Sequence, residues 1–326
     1  MVILIDITEE VSFKMPKIPL TVIHYHKHDP LKTKGGVQTF ALNLKLIFKE
    51  VQFMTPKDCD FKYAMKHHIP VISENQGVVD WPKKYAVVGF QHGVGAVKFN
   101  VTQSKVHRRM ASAQKRAAKR KNTIWVACAE WISTTFGQLH NTATEHIIYH
   151  AVDIDKFDGK LENHGSRLIL HDARTMHKGK ALIEKIKKAF PEWKFELLGC
   201  SHNKVPDRMR GARAFIHLSR YEGNSIVCNE AIAMNLPCLF TAVGLMKDQN
   251  HPTDVYIVDP DDIYDNPQIL VKEVGTFFNS LNTRKYNPRD WILANATPEI
   301  NVKKWYQVMT HYQKLSGWDL GIPHKN

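Results

Sequence analysis

The sequence predicts an α/β protein made of two parallel-sheet halves, and three observations carry that prediction. Short apolar runs alternate with amphipathic stretches almost throughout, as strands joined by crossover helices do. The rhythm breaks at the polar, turn-rich VDIDKFDGKLENHG (152–165) and restarts with RLILHDA. A length of 326 residues suffices for two cores of ordinary size.

The first half opens with a strand at 20–25, followed by a polar loop to Gly35 and Gly36 and a stretch of helical periodicity, VQTFALNLKLIF. YAVVGF, TIWVACA and EHIIYH supply further strands. The second half runs from RLILHDA through a helix at 178–190 to the strands KFELLG, RAFIHLS and PCLFTAV. The junction falls near 155–165, giving an amino domain over 1–158 and a carboxyl domain over 159–295. In the final segment, 296–326, Trp305, Met309 and Tyr312 recur three or four positions apart. That spacing makes an amphipathic helix whose apolar side packs in a core. Two such halves place a ligand cleft between the carboxyl ends of their sheets.

Composition narrows the class. Apolar residues make up 43% and charged residues 24%, as in a soluble globular protein. The net charge of +13 favours an anionic partner: nucleic acid, an acidic membrane surface or a phosphorylated small molecule. Five cysteines, none in a C-x-x-C pair, argue against a disulfide framework or a zinc site and for a reducing compartment. The opening MVILIDITEE is too short and too acidic for a signal peptide, and no run approaches about 18 apolar residues. The expectation is a soluble protein of the cytoplasm, the host cytoplasm for a phage-encoded chain.

SRYEGNSIVCNEA (219–231) is the most informative stretch. Gly223, Asn224 and Ser225 favour a turn and a helix start, so Glu222 sits on a loop and Glu230 on the second turn of the helix behind it. Free N–H groups at that start suit a phosphate, and carboxylates suit vicinal sugar hydroxyls. A capped helix with two solvated acids is the plain alternative.

Four landmarks in order, KGGVQTF, FQHGVG, ARTMHKG and YEGNSIVCNEA, resemble those of retaining glycosyltransferases of the GT-B fold, the large family-four type and its phage-encoded relatives. YHAVDIDKF resembles that family's linker, with His150 and Ala151 where Asn-Gly is usual. The resemblance implies two Rossmann-like domains facing a cleft, with the last helix packing back on the amino domain. It implies that Gly35 and Gly36 let the backbone approach the donor. It also implies that Arg174 and Lys178 neutralise the leaving diphosphate, with a spacing one residue shorter than the commonest form. Glu222 would bond the donor sugar and Glu230 the ribose, while Gly223, Asn224, Ser225 and Ile226 hold the phosphate between them. His92 would lie beside the sugar. The implied catalytic set is His92, Arg174, Lys178 and Glu222, with a nucleotide-diphosphate sugar as donor, UDP favoured, and neither prosthetic group nor metal.

The densest basic run, KVHRRMASAQKRAAKRK (105–121), lacks the Leu, Phe or Trp that a membrane-inserting helix needs and suits phosphate backbones. Lys105, Arg108, Arg109, Lys115, Arg116, Lys119 and Arg120 are the candidate acceptor contacts. The forms GGVQTF, QHGVG and ARTMHKG resemble most the phage DNA α-glucosyltransferases, which implies a hydroxymethylated base in DNA as acceptor. Glycan or lipid-linked sugar synthesis at an anionic membrane is the main alternative, and a non-catalytic sugar-nucleotide or DNA-binding module the other. No protein partner is expected.

Overall fold

The computed structural model describes residues 16–75, 77–163 and 165–322. The opening MVILIDITEE therefore lies outside the described residues.

The amino half runs β1 (Ile18–Tyr25), α1 (Gly36–Asn43), β2 (Phe48–Met54), α2 (Phe61–Lys66), β3 (Val71–Glu74), β4 (Val87–Gln91), α3 (Gly95–Thr102), α4 (Lys105–Ala117), β5 (Thr123–Ala127), α5 (Glu130–His140) and β6 (His146–Ile147). The carboxyl half continues with β7 (Leu168–His171), α6 (Lys180–Ala189), β8 (Lys194–Leu197), α7 (Val205–Arg210), β9 (Ala214–His217), α8 (Ile226–Ala233), β10 (Cys238–Thr241) and β11 (Tyr256–Val258). Four helices close the chain: α9 (Pro260–Asp265), α10 (Pro267–Thr283), α11 (Arg289–Asn295) and α12 (Pro298–Ser316).

The strands form two sheets, ordered β2-β1-β3-β4-β5-β6 and β11-β10-β9-β7-β8, with parallel pairing throughout. Counted from its own first strand, the first sheet has the order 2-1-3-4-5-6 and the second 2-1-3-4-5. Each therefore reverses direction once, between β1 and β3 and between β7 and β9. Loops leaving the carboxyl ends of those strands diverge to opposite faces and open a crevice, where open α/β sheets bind their ligands.

Three strands differ from the sequence expectation. The helical pattern from Val37 ends in a short 3-10 turn at Leu44–Leu46, and Phe48 already begins β2. Among the described residues β2 pairs only with β1, and this edge strand keeps charged residues and lacks a clear apolar signal. β3 and β11 are only four and three residues long, too short for periodicity to register.

The first core packs β1, β4 and β5 under α1, and it includes Val302, Trp305, Val308, Met309 and Tyr312 of α12. Tyr312 also donates its hydroxyl to the Ala86 carbonyl at 2.6 Å. Ile148 belongs to this core, whereas Tyr149, Val152 and Phe157 belong to the second. Packing thus passes between halves ahead of the turn-rich 155–165 stretch where the sequence places the junction. Among the described residues, no helix is long and apolar enough to cross a membrane.

Candidate functional site

A cleft of about 780 Å³ lies between the halves, and both switch-point ends open into it. On the carboxyl side, Asp172 follows β7 and organises the cations. Its Oδ1 forms an ion pair with Arg174 Nε at 2.8 Å and its Oδ2 accepts from Lys178 Nζ at 2.9 Å. Lys178 also lies 3.4 Å from Glu222 Oε1. Burial pulls the Lys178 pKa down, but Glu222 and Asp172 outweigh it and hold the ammonium above its ordinary range. Burial likewise pushes Glu222 up. The bond from His217 Nε2 at 3.0 Å and the Lys178 charge more than reverse that, leaving it at about 2.

Behind Glu222 the chain turns into α8, with Ser225 as its N-cap residue and no side-chain cap bond. Ser225, Ile226 and Val227 line the cleft, so the amides of this first turn remain available to an anion. Glu230, buried on the second turn, bonds His202 Nε2 at 2.6 Å. His202 sits in the short connection between β8 and α7.

The amino side contributes Gly35, Gly36, His92 and Lys98. A Cβ at Gly36 would meet only open cleft, which leaves its backbone approachable. Lys98, on α3, is a cation the sequence reading missed. Its Nζ lies 5.8 Å from the Tyr221 ring centre, and burial lowers its pKa while Glu222 pulls the other way. Nothing in GVGAVKFN marks it, because its carboxylate partner lies in the other half of the chain.

The halves meet tightly around these residues. A Cβ on Gly223 would lie 1.8 Å from the His92 carbonyl oxygen, so only glycine allows this approach. Val94 N–H donates to the Tyr221 hydroxyl at 2.8 Å, and Trp131 Nε1 donates to the Gly223 carbonyl at 2.8 Å. Asn224 Nδ2 donates to the Cys128 carbonyl at 2.8 Å, which commits its side chain to the interface and leaves only its backbone for a ligand. Asp248 crosses to cap α5, accepting from the N–H groups of Glu130 and Trp131 at 2.7 and 2.9 Å.

Of the basic run, Lys105, Arg108, Arg109, Lys115, Arg116 and Lys119 lie exposed on or just after α4, and none has an ion-pair partner among the described residues. Met110 and Gln114 of the same helix line the cleft. Arg120 is a correction. Its guanidinium turns inward and donates to the carbonyls of Pro82, Tyr85 and Asn122 and to Thr123 Oγ1, so it holds the fold rather than facing an acceptor.

His92, Cys128 and His150 bring one potential ligand atom each within 4.8 Å of the others. The two imidazoles are stacked, 5.2 Å apart at 20°, and near-parallel ring planes do not aim their lone pairs at a common point. Burial also raises the Cys128 thiol well above its ordinary range.

Residues 175–272 match the model of the family described as glycosyl transferases group 1. No curated protein matches the chain. Several solved structures resemble it over nearly its whole length. Sucrose-phosphate synthase from Thermosynechococcus elongatus is 13% identical, covers 90% of this chain and 98% of its own, and has a TM-score of 0.69. Anabaena HepE in complex with UDP-glucose is 13% identical, with 89% and 100% covered and a TM-score of 0.62. A glycosyltransferase from Rickettsia africae is 12% identical, with 91% and 98% covered and a TM-score of 0.57. The fold is therefore GT-B, and the group 1 domain makes the chain a transferase.

Proposed function

We propose that this chain transfers a sugar from a nucleoside-diphosphate sugar, UDP-glucose being the favoured probe, to an acceptor hydroxyl with retention at the anomeric carbon. The observation that carries the reading is the grouping, in one interdomain cleft, of Arg174, Lys178, the α8 amino terminus, Glu222 and Glu230, with Gly36 and His92 opposite. The UDP-glucose bound by Anabaena HepE, a protein of the same fold, supports the choice of donor.

The chemistry follows from charge. Breaking the bond between the anomeric carbon and the diphosphate leaves negative charge on phosphate oxygens, which the guanidinium of Arg174, the ammonium of Lys178 and the α8 amides stabilise. The acceptor oxygen bonds the anomeric carbon on the face that the phosphate leaves, and the departing phosphate takes the hydroxyl proton. Arg174 and Lys178 do the work a bound cation would do, so no metal enters the scheme. Glu222 accepts bonds from sugar hydroxyls, and Glu230 exchanges its His202 contact for the ribose diol.

For the acceptor, α4 supports DNA. Its exposed cations are unpaired among the described residues, and the same helix reaches the cleft with Met110 and Gln114. Val106, 62% exposed, is the only large aliphatic residue it exposes, too little for membrane insertion. A base hydroxyl would reach the cleft by local opening of the duplex. The test is release of free glucose from UDP-glucose by the protein alone, followed by glucose transfer to hydroxymethylated DNA. Release without transfer to DNA retains the donor reading and rejects the acceptor.

A further inference from the structure

We propose that Glu74 is a positioning residue for His92, fixing the imidazole with its Nε2 proton turned inward and Nδ1 as the nitrogen offered to the ligand. This rests on the reading of the cleft as a sugar-nucleotide site.

Glu74 ends β3, whose sheet neighbours are β1 and β4. It is 5% exposed, and its carboxylate lies between two imidazoles: His24 Nε2 at 2.7 Å from Oε1 and His92 Nε2 at 2.5 Å from Oε2. A carboxylate only accepts, so the His24 hydrogen bond puts hydrogen on that ring's Nε2, and the 2.5 Å ion-pair contact of His92 Nε2, which is not an aligned hydrogen bond, favours the same tautomer there. Burial alone would push Glu74 up, but the charges and bonds of His92 and His24 hold it far below the ordinary carboxylate range. It therefore stays an acceptor.

The next residue fixes the main chain. Asn75 takes a positive φ of 27°, donates its N–H to the Phe90 carbonyl at 2.9 Å, and accepts the His92 N–H on Oδ1 at 3.1 Å. Consecutive residues at the end of one strand thus hold the backbone and the ring of His92 separately. Phe40 at 4.8 Å and His150 at 5.2 Å bound the ring further. A purely structural wall would be cheaper in apolar residues, since burying a carboxylate between imidazoles carries a desolvation cost that packing does not. An orienting carboxylate behind a functional imidazole accounts for that cost, because it sets which nitrogen carries the proton.

The first test needs no variant. In protein labelled with ¹⁵N in its histidines, the His92 ring signals, assigned by their loss in His92→Gln, should report hydrogen on Nε2. A neutral ring protonated on Nδ1 alone would overturn the inference. The second test is kinetic. Glu74→Gln should lower kcat for UDP-glucose hydrolysis by roughly 10–100-fold, the scale seen when the orienting partner of a metal-binding histidine is lost, with little change in KM. In a His92→Ala background it should lower kcat no further, because the ring it orients is gone. An equal loss in both backgrounds, or a change confined to KM, would mark Glu74 as merely structural. Should Glu74→Gln not fold, the ring-nitrogen measurement decides alone. Failure of the unvaried protein to bind any nucleoside diphosphate overturns the sugar-nucleotide reading instead, and is seen independently of either variant.

Discussion

Replacing Arg174 with alanine separates catalysis from folding, and the geometry says why this cation serves better than its neighbour. Lys178 is held between Asp172 and Glu222, whose side chains are only 7% and 17% exposed. Removing it takes a cation from two largely buried acids, leaving Asp172 with Arg174 and Glu222 with His217, and breaking a buried pair costs about 3–5 kcal/mol of stability. Arg174 is 58% exposed, and Asp172 keeps Lys178 when it goes. The folding cost of Arg174→Ala should therefore be that of an exposed pair, about 0–1 kcal/mol. Loss of one preorganised partner of the leaving phosphate raises the barrier by about 3 kcal/mol, or roughly 10²-fold in kcat. Turnover of UDP-glucose should thus fall by two decades while the melting temperature moves by a few degrees at most. Unaltered turnover would refute the phosphate role, and a fall matched by wholesale unfolding would refute the separation.

Glu230→Ala should weaken UDP binding by roughly 10–100-fold, the scale of one or two hydrogen bonds to a charged group, measured by calorimetry; unchanged affinity would reject the ribose contact. Replacing Arg108, Lys115, Arg116 and Lys119 with glutamine should flatten the log–log salt dependence of duplex binding by about 0.9 for each phosphate no longer neutralised. An unchanged slope with loss of binding to anionic vesicles would favour the membrane reading. Arg120→Gln should lower the melting temperature and leave that slope alone, because its bonds are internal; an altered slope would return it to the acceptor surface. Asp248 is pushed up to about 6, by burial first and by Glu130, against the pull of the α5 N–H groups. A carboxyl raised in the folded state contributes stability at low pH that is lost as pH rises through about 6. Asp248→Asn should flatten that stretch of the stability curve, and a slope equal to that of the unvaried protein would contradict the assignment.

The carboxyl half was the more legible in the sequence. Glu222, the turn behind it, and Glu230 on the second turn of α8 all read from local signals, since turn and cap chemistry act over a few residues. The amino half hid more. β2 lies at a sheet edge, where charged residues replace the apolar alternation that betrays a strand. Glu74, Lys98 and His202 are each defined by a partner distant in the chain, so no window around them shows what they do. Arg120 failed for the same reason in reverse. Its neighbours are solvated cations, and only the fold turns its guanidinium onto the Pro82 and Tyr85 carbonyls.

The most direct test of the account is thermal unfolding of the chain against a panel of nucleoside diphosphates, repeated on Glu230→Ala. At least one diphosphate, UDP foremost, should stabilise the unvaried protein by about 2.7 kcal/mol when present at a hundred times its dissociation constant. The same concentration should have a much smaller effect on the variant. If no nucleoside diphosphate shifts the transition at millimolar concentration, or if Glu230→Ala responds as the unvaried protein does, the cleft is not the sugar-nucleotide site described.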